Sequence, residues 1–168
     1  ESEVQSVMEL VNQRLQEAVS LVLDPTLEFQ RLGAVKGLIL NADGSTLYDL
    51  FTEFGVSQET EIDFDLDNAN PASGALRKKC AGAVRTIANN LSGVGFTGVH
   101  AFCGDAFFDD LLAHAEVVES YKGTPMAQVL REGYVYPNGD KVHGAFEFGG
   151  IVWENYRGMN GADPMVDT

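Results

Sequence analysis

The stretch HAFCGDAFFDDLLAH, residues 100–114, contains a cysteine, three aspartates and two histidines among apolar side chains. This mixture fits either a reactive site or the junction of a strand and a helix whose polar residues face solvent. We interpret GVHAFC, residues 98–103, as a short strand and residues 104–123 as a helix. The predicted core face of that helix consists of Phe107, Phe108, Leu111, Leu112, Ala115 and Val118.

A nucleophilic cysteine is the first chemical hypothesis for this stretch. Cys103 lies near the predicted helix N-terminus, where the helix dipole lowers the pKa of a thiol. Asp105, Asp109 and Asp110 follow within about two turns, and their charges oppose a thiolate. His100 lies three residues earlier on the strand, so it points away from Cys103 or beside it. We therefore predict a buried cysteine at the strand end and acidic residues placed favourably in the first helical turn.

Metal binding by these residues is disfavoured by their spacing. A structural zinc site uses four ligands at recognisable spacing, and His100, Cys103 and His114 lack a second paired cluster. Cys80 and His143 are scattered elsewhere in the chain. No phosphate-binding loop, dinucleotide-binding fingerprint or nucleophile elbow is present in the sequence. We therefore predict a protein that is not an enzyme, with no catalytic residues, no metal and no cofactor.

The run Asp63-x-Asp65-x-Asp67 resembles the opening of a calcium-binding loop. The pattern then fails, because Asn68 stands where the loop needs glycine and Gly74 where it needs glutamate. The strict alternation of ETEIDFDLDNANP, residues 59–71, instead predicts a strand with one face in solvent. Its apolar side consists of Ile62, Phe64 and Leu66.

Charge and cysteine content bound the class of protein. The 168 residues include 25 acidic and 11 basic side chains, for a formal net charge of -14. An acidic surface repels phosphates, so we predict no specific nucleic-acid partner. No apolar run approaches the roughly 18 residues of a membrane span, and two cysteines give no disulfide framework. Because Glu1 lies inside a helical pattern and the tail is turn-like, we expect a piece of a longer polypeptide.

The N-terminal part predicts two helices and a hairpin. Apolar residues recur in steps of three and four at Val4, Val7, Met8, Val11, Leu15, Ala18, Val19 and Val22. The pattern breaks at Asp24-Pro25, and we predict that Asp24 caps a second helix that runs to about Ala34. KGLILNADGSTLYDLF, residues 36–51, predicts a β-hairpin that turns at residues 41–44.

The C-terminal part predicts a helix and further strands. We expect Ser73 to cap a helix with Leu76, Cys80, Ala83, Val84, Ile87 and Leu91 on one face. Residues 133–158 predict two or three strands that turn at residues 137–140 and near residues 149–150.

Two groups of surface-type residues leave their role open. Four of the eleven cations lie on the predicted helix after Ser73, at Arg77, Lys78, Lys79 and Arg85. They fit a patch for an acidic neighbour and a solvated face equally well. Trp153, Tyr156 and Arg157 form an aromatic-plus-arginine group typical of interfaces, but a strand with core aromatics has the same pattern.

Three segments resemble the lambda-type major capsid proteins of tailed bacteriophages, the phage major capsid protein E family. In that family a short strand meets a helix that carries Phe-Phe-Asp-x-Leu, a histidine and a tyrosine. The matching residues here are Phe107, Phe108, Asp109, Leu111, His114 and Tyr121. VKGLILNADGS, residues 35–45, resembles the hairpin after the family's long helix, and FEFGGIVWENYRG, residues 146–158, resembles its strand pair. Their order and spacing agree across nearly the whole chain.

The resemblance implies an α+β chain with the Hong Kong 97-like fold of tailed-phage major capsid proteins. Residues 1–70 would form the peripheral lobe with the long spine helix and the hairpin, and residues 71–168 the mixed α/β axial lobe. The implied function is that of a major capsid subunit that self-assembles in hexamers and pentamers into the icosahedral head of a tailed phage or prophage. His114 would then pack or form a hydrogen bond within the axial lobe.

The resemblance also implies a location and partners. We expect the virion head as the location, assembly in the host cytoplasm, and scaffold, protease or decoration proteins as further partners, with no membrane. The family's N-terminal arm and extended loop are expected before Glu1, and its return segment after Thr168. The alternatives are a small cysteine-dependent enzyme that uses Cys103 and another phage structural protein of the tail or decoration type.

Overall fold

The computed structural model describes residues 2–68, 70–123, 144–160 and 163–166. The chain divides into two compact units. The first contains Glu1–Thr60 and Gly158–Met165, and the second contains Glu61–Arg157 and Val166–Thr168. The predicted turn at residues 137–140 and the strand before it lie outside the described residues. Both units mix helices with strands, so the predicted α+β class is confirmed at that level.

The first unit begins with an uninterrupted helical run. Helix α1, Ser2–Ala18, leads through a wider π-helical turn, Val19–Leu23, into α2, Asp24–Lys36. The predicted cap at Asp24 is wrong, since this residue is itself helical and its backbone N–H donates to the Val19 carbonyl oxygen. A proline inside a helix lacks a donor and its ring clashes with the carbonyl four residues earlier. We attribute the wider turn to Pro25, which the helix accommodates without ending.

A glycine ends this helical run. Gly37 has a φ of +89°, in the left-handed region, and α2 therefore extends to Lys36 rather than to Ala34. A Cβ at position 37 would lie 2.3 Å from the Phe51 ring, so glycine also permits this close packing.

A hydrogen bond joins the end of α2 to the C-terminal segment of the same unit. Lys36 Nζ donates to the Met165 carbonyl oxygen at 3.0 Å.

The predicted hairpin is confirmed. Strand β1, Leu38–Leu40, pairs antiparallel with β2, Thr46–Asp49. Within the turn, the Asp43 carboxylate accepts hydrogen bonds from the hydroxyl and the backbone N–H of Ser45. The hydroxyl bond is the larger cause of a lowered pKa of Asp43.

A short helix that the periodicity did not predict follows the hairpin. Helix α3, Leu50–Phe54, begins where Asp49 accepts hydrogen bonds from the N–H groups of Phe51 and Thr52. The unit also contains two short antiparallel strands, β6 at Met159–Asn160 and β7 at Asp163–Pro164.

The acidic alternation that opens the second unit does not form the predicted strand. Residues 61–65 have no strand pairing within the described chain. The Asp65 N–H donates to Asp63 Oδ1 at 2.7 Å, and Asp65 has a φ of +58°. This local bond turns the backbone, because an aspartate side chain competes with the sheet ladder for backbone donors. Phe64 and Leu66 still pack on the core, whereas Ile62 is exposed.

Helix α4, Ala75–Asn90, begins after Gly74 rather than at a capping Ser73. Gly74 has a φ of +80° and supplies no side-chain acceptor. Leu76 and Cys80 are buried as predicted, and Ala83 and Val84 pack against the core. Ile87 is 39% exposed, so the predicted core face ends one turn early.

A three-stranded sheet supports the core of the second unit. Strand β3, His100–Cys103, pairs parallel with β5, Ile151–Asn155, and β4, Ala145–Phe148, pairs antiparallel with β5 on its other side. The turn between β4 and β5 uses Gly149 and Gly150, which both have positive φ as a tight hairpin requires. The strand predicted for residues 98–103 is therefore confirmed over His100–Cys103, and so is the turn near residues 149–150.

The helix predicted after β3 is divided in two. Helix α5, Asp105–Ala113, ends before His114, whose ψ of 135° is extended, and α6, Ala115–Tyr121, begins after it. The break changes the phase of the second part, so that Val117 is buried while Ala115 and Val118 are exposed. The predicted face is correct only for α5.

The core of the second unit combines side chains from its helices and from its three-stranded sheet. Its buried members are Leu76, Cys80, Cys103, Phe108, Leu111, Val117, Phe146, Phe148, Ile151 and Trp153. The three helices α4, α5 and α6 therefore share one apolar cluster with one face of the sheet.

Candidate functional site at the strand–helix junction

Cys103 is the last residue of β3 and is buried, with 5% of its surface exposed. Its thiol donates to the Ala101 carbonyl oxygen at 3.8 Å. Burial raises the pKa of Cys103 to about 11, because a thiolate loses its hydration in an apolar site. The predicted buried cysteine is confirmed, and its thiol is protonated at neutral pH. Burial also raises the pKa of Cys80 to about 11.

His100 lies on the opposite face of the strand from this thiol. Its ring is exposed, and Nδ1 lies 3.0 Å from Glu154 Oε1 on the adjacent strand β5. The side chains of His100 and Cys103 thus face different sides of the sheet, as their spacing predicts. They do not form a thiol–imidazole pair.

His114 fills the break between α5 and α6. It is 6% exposed, and its Nδ1 accepts the backbone N–H of Glu116 at 3.2 Å. This bond requires an unprotonated Nδ1 and satisfies one of the free N–H groups at the start of α6. The predicted packing and hydrogen-bonding role of His114 is therefore confirmed.

The aspartates of the opening stretch face solvent. Asp105 lies in the first turn of α5, and its Oδ1 is 3.2 Å from Arg157 Nε. Asp109 and Asp110 are exposed on the outer side of the same helix. Among the residues that the structure describes, no group of three or more His, Cys, Asp or Glu side chains has a metal-binding arrangement.

Glu116 is the side chain whose role the sequence did not reveal. Its Oε1 accepts the N–H of Leu76 at 3.1 Å, and its Oε2 accepts the N–H of Arg77 at 3.3 Å. The carboxylate of α6 therefore caps α4, where the helix dipole favours a negative charge. The only signal in the sequence is an acid in the first turn of its own helix, which gives no hint of a distant partner.

The aromatic-plus-arginine group separates into core and surface members. Trp153 is 3% exposed, and its Nε1 donates to the Phe148 carbonyl oxygen at 3.1 Å. Phe64 packs edge-on against Trp153, with ring centroids 5.4 Å apart. Tyr156 packs against Phe102 at 5.6 Å. Of the two open readings, the structure supports a core strand for Trp153.

The comparisons with known proteins identify the family. The family model described as phage major capsid protein E matches residues 1–166. The chain belongs to this family. The resemblance carried by residues 103–123, 35–45 and 146–158 is thereby confirmed. No solved structure matches the chain significantly, so the Hong Kong 97-like fold stays a prediction for this member of the phage major capsid protein E family.

Two curated relatives of this phage major capsid protein E family member have the same name, major capsid protein. The protein of Pseudomonas phage KPP10 is 32% identical over 121 residues, which cover 68% of the chain and 32% of the relative. The protein of Salmonella phage Felix O1, isolate Felix O1-VT1, is 29% identical over 141 residues, which cover 80% of the chain and 38% of the relative. The chain thus spans between 32% and 38% of the length of these relatives.

The segment that resembles the capsid protein E family, Phe107 to Tyr121, lies at the strand–helix junction. Phe108 and Leu111 of the motif are buried, His114 caps a helix, and the aspartates remain in solvent. The junction therefore works as a packing element. No helix in the described part of the chain combines the length and the apolar character that crossing a membrane requires.

Proposed function

We propose that the chain is part of a major capsid subunit that self-assembles into the icosahedral head of a tailed phage or prophage. The observation that carries the proposal is the family match over residues 1–166, together with the relatives' printed name of major capsid protein. The junction supports a structural role, because the buried His114 caps a helix and the Cys103 thiol is buried and protonated.

The proposal includes the architecture implied by the resemblance. Residues 1–70 would belong to the peripheral lobe and residues 71–168 to the axial lobe of a Hong Kong 97-like fold. The long helical run followed by the β1–β2 hairpin supports the first assignment. The three-stranded sheet covered by α4, α5 and α6 supports the second.

The proposed partners are copies of the same chain in hexamers and pentamers. Scaffold, protease or decoration proteins are the further partners that such a shell would use. The proposed location is the virion head, after assembly in the host cytoplasm. The chain's net charge of -14 supports a location in the head, because it disfavours adhesion to the packaged nucleic acid.

Electron microscopy of the complete gene product tests the proposal. We expect closed shells whose surface is divided into rings of six and five subunits. Tubes would favour a tail protein, and small complexes that bind only to existing shells would favour a decoration protein. Either result would contradict the proposed role.

Thiol alkylation tests the alternative of a cysteine-dependent enzyme. Since burial raises the pKa of both Cys80 and Cys103 to about 11, we expect very slow alkylation of the folded chain below about pH 9. Unfolding in denaturant should make both thiols react rapidly, which serves as the control. Fast labelling of Cys103 near pH 6 would favour the enzyme.

A further inference from the structure

The outward face of α4 carries cations over small side chains. Leu76 and Cys80 mark its buried side, and successive residues turn by about 100°, so Lys78 and Arg85 lie together on the opposite side. Gly82 lies between these two cations, and a Cβ added there would meet no atom within 4 Å. The middle of this face is therefore open and low, with a positive charge at each end. We call it the Lys78–Arg85 face.

Neither cation of the Lys78–Arg85 face forms an ion pair with a carboxylate among the described residues. In the same unit, Lys122 pairs with Glu119 at 3.2 Å, and Arg157 pairs with Asp105. Arg77, at the start of α4, donates to Ser120 and lies over the Phe148 ring at 5.3 Å. In a chain with 25 acidic and 11 basic side chains, two neighbouring cations on one exposed helix face form a local positive patch.

The same unit also carries a cleft whose negative charge is complementary to the Lys78–Arg85 face. A cleft of about 250 Å³ is lined by Asp63, Phe64, Asp65, Leu66, Asp67, Ala106, Phe107 and Asp110. Asp63, Asp67 and Asp110 are exposed at its border. Lysine and arginine have apolar stems and cationic ends, and they are attracted to carboxylates and to aromatic faces. We call this the acidic cleft.

We propose that the Lys78–Arg85 face of one subunit docks against the acidic cleft of a neighbouring copy in the shell. The inference rests on the proposed function, since it assigns surfaces to that self-association. Charge complementarity selects a second copy, because each chain carries both the unpaired cations and the carboxylates that would receive them. The two surfaces differ, so the contact is heterologous, and heterologous contacts of one kind form a ring when the rotation between neighbouring copies closes. Hexamers and pentamers are such rings.

Charge reversal in the complete gene product tests this contact. We expect Lys78→Glu with Arg85→Glu to reduce the yield of closed shells by about tenfold or more, because like charges would then face each other. Adding Asp63→Lys with Asp110→Lys should restore assembly by exchanging the two signs. Lys78→Glu alone should also reduce the shell yield, and Lys122→Glu is its matched control, since Lys122 is an exposed lysine of the same unit and should leave the yield unchanged. Shell yield is counted by electron microscopy and sedimentation, and thermal unfolding checks that each variant folds.

The outcomes separate the contact from the proposed function. Normal shells from the Lys78→Glu, Arg85→Glu variant would overturn the contact and leave the capsid role standing. The double variant can also fold and lose assembly without being rescued by Asp63→Lys and Asp110→Lys. That result would likewise overturn the contact between the Lys78–Arg85 face and the acidic cleft. Normal shells with reduced nucleic-acid content would identify nucleic acid as the occupant of this face and contradict the inference. An unaltered gene product that forms no shells would overturn the capsid role, and the contact with it. The neutral variant Lys78→Gln with Arg85→Gln repeats the test where the reversed chain does not fold.

Discussion

At the scale of single residues, Glu116 connects two helices through backbone hydrogen bonds. The first N–H groups of a helix have no partner inside it, and Gly74 supplies no side-chain acceptor for α4. The Glu116 carboxylate accepts from Leu76 and Arg77 instead, at 3.1 Å and 3.3 Å. The start of α4 is thus satisfied only when α6 is packed beside it.

We predict that Glu116→Ala lowers the free energy of unfolding by about 1–2 kcal/mol, as the loss of a helix cap does. Glu116→Gln should lose less, because the amide oxygen still accepts one of the two bonds. The measurement is urea unfolding of the 168-residue chain. Glu119→Ala is the control, since Glu119 is exposed and forms a surface ion pair with Lys122, and it should change stability by less than about 0.5 kcal/mol. Equal effects at both positions would contradict the capping role.

The turn between β4 and β5 offers a second matched pair at this scale. A Cβ at Gly149 would lie 2.4 Å from the Cys80 Cβ, whereas one at Gly150 would meet nothing within 4 Å. Both residues have positive φ, which costs a non-glycine residue about 1–2 kcal/mol. We predict that Gly149→Ala costs about 2–4 kcal/mol, since steric overlap adds to the backbone strain, and that Gly150→Ala costs only the strain. Thermal unfolding measures both, and equal losses would exclude the steric contribution.

The sequence predicts some single-residue roles and not others. Cys103 stands among apolar residues at the end of a short strand, so its burial follows from local pattern. The capping role of Glu116 depends on an N–H group 40 residues earlier, and no local pattern specifies that distance. Ser73 had the right chemistry for a cap, but Gly74 takes the N-cap position and the helix begins at Ala75.

At the scale of elements, turn chemistry proved more reliable than periodicity. The hairpin turn at residues 41–44 and the turn at residues 149–150 were predictable, because glycine and asparagine determine such turns locally. The alternation of residues 59–66 did not produce a strand, because the Asp63–Asp65 hydrogen bond turns the backbone. The helix after β3 kept a helical pattern through His114 in sequence, yet tertiary packing and the His114 cap divide it.

The cap of α3 makes a pH-dependent prediction for one element. The Thr52 hydroxyl bond is the largest cause of a lowered pKa of Asp49, with the N–H groups of Thr52 and Phe51 adding to it. A carboxylate with a lowered folded-state pKa stabilises the fold above its ordinary value of 3.8, and this contribution is lost as pH falls through the folded pKa. We therefore expect α3 to fray below about pH 4. The NMR amide signals of Phe51 and Thr52, recorded as a function of pH, measure this fraying.

Asp49→Asn should weaken α3 at neutral pH and remove most of this pH dependence, because an amide does not titrate. Asp43→Asn is the control, since Asp43 has a lowered pKa from Ser45 but lies in the hairpin turn and not at α3. If α3 in the Asp49→Asn chain still frays with the unaltered pH dependence, the cap is not the titrating group.

At the scale of the whole molecule, the two units differ in how they bury apolar side chains. The apolar stripe of α1 is largely uncovered, since Val11 and Leu15 are 58% and 62% exposed among the described residues. Leu111, in the second unit, is 0% exposed. Periodicity locates an apolar face on a helix, but it does not specify what covers that face.

We predict that Val11→Gln with Leu15→Gln changes the free energy of unfolding of the 168-residue chain by less than about 0.5 kcal/mol. Leu111→Ala should cost about 2–5 kcal/mol, because it leaves a cavity in the shared core of the second unit. Denaturant unfolding monitored by Trp153 fluorescence measures the core variant, and circular dichroism follows the helical variant. A large loss from the α1 substitutions would show that this stripe is covered in solution.

The order of the sheet also has a consequence for biosynthesis. The middle strand, β5, is made after both of its neighbours, β3 and β4. While the chain leaves the ribosome, β3 has no described strand to pair with until Ile151–Asn155 has emerged. Phe107 of α5 likewise lacks its ring contact with Trp153 until that residue has been made. A nascent chain that pauses before this segment therefore holds β3 without its described partner strand.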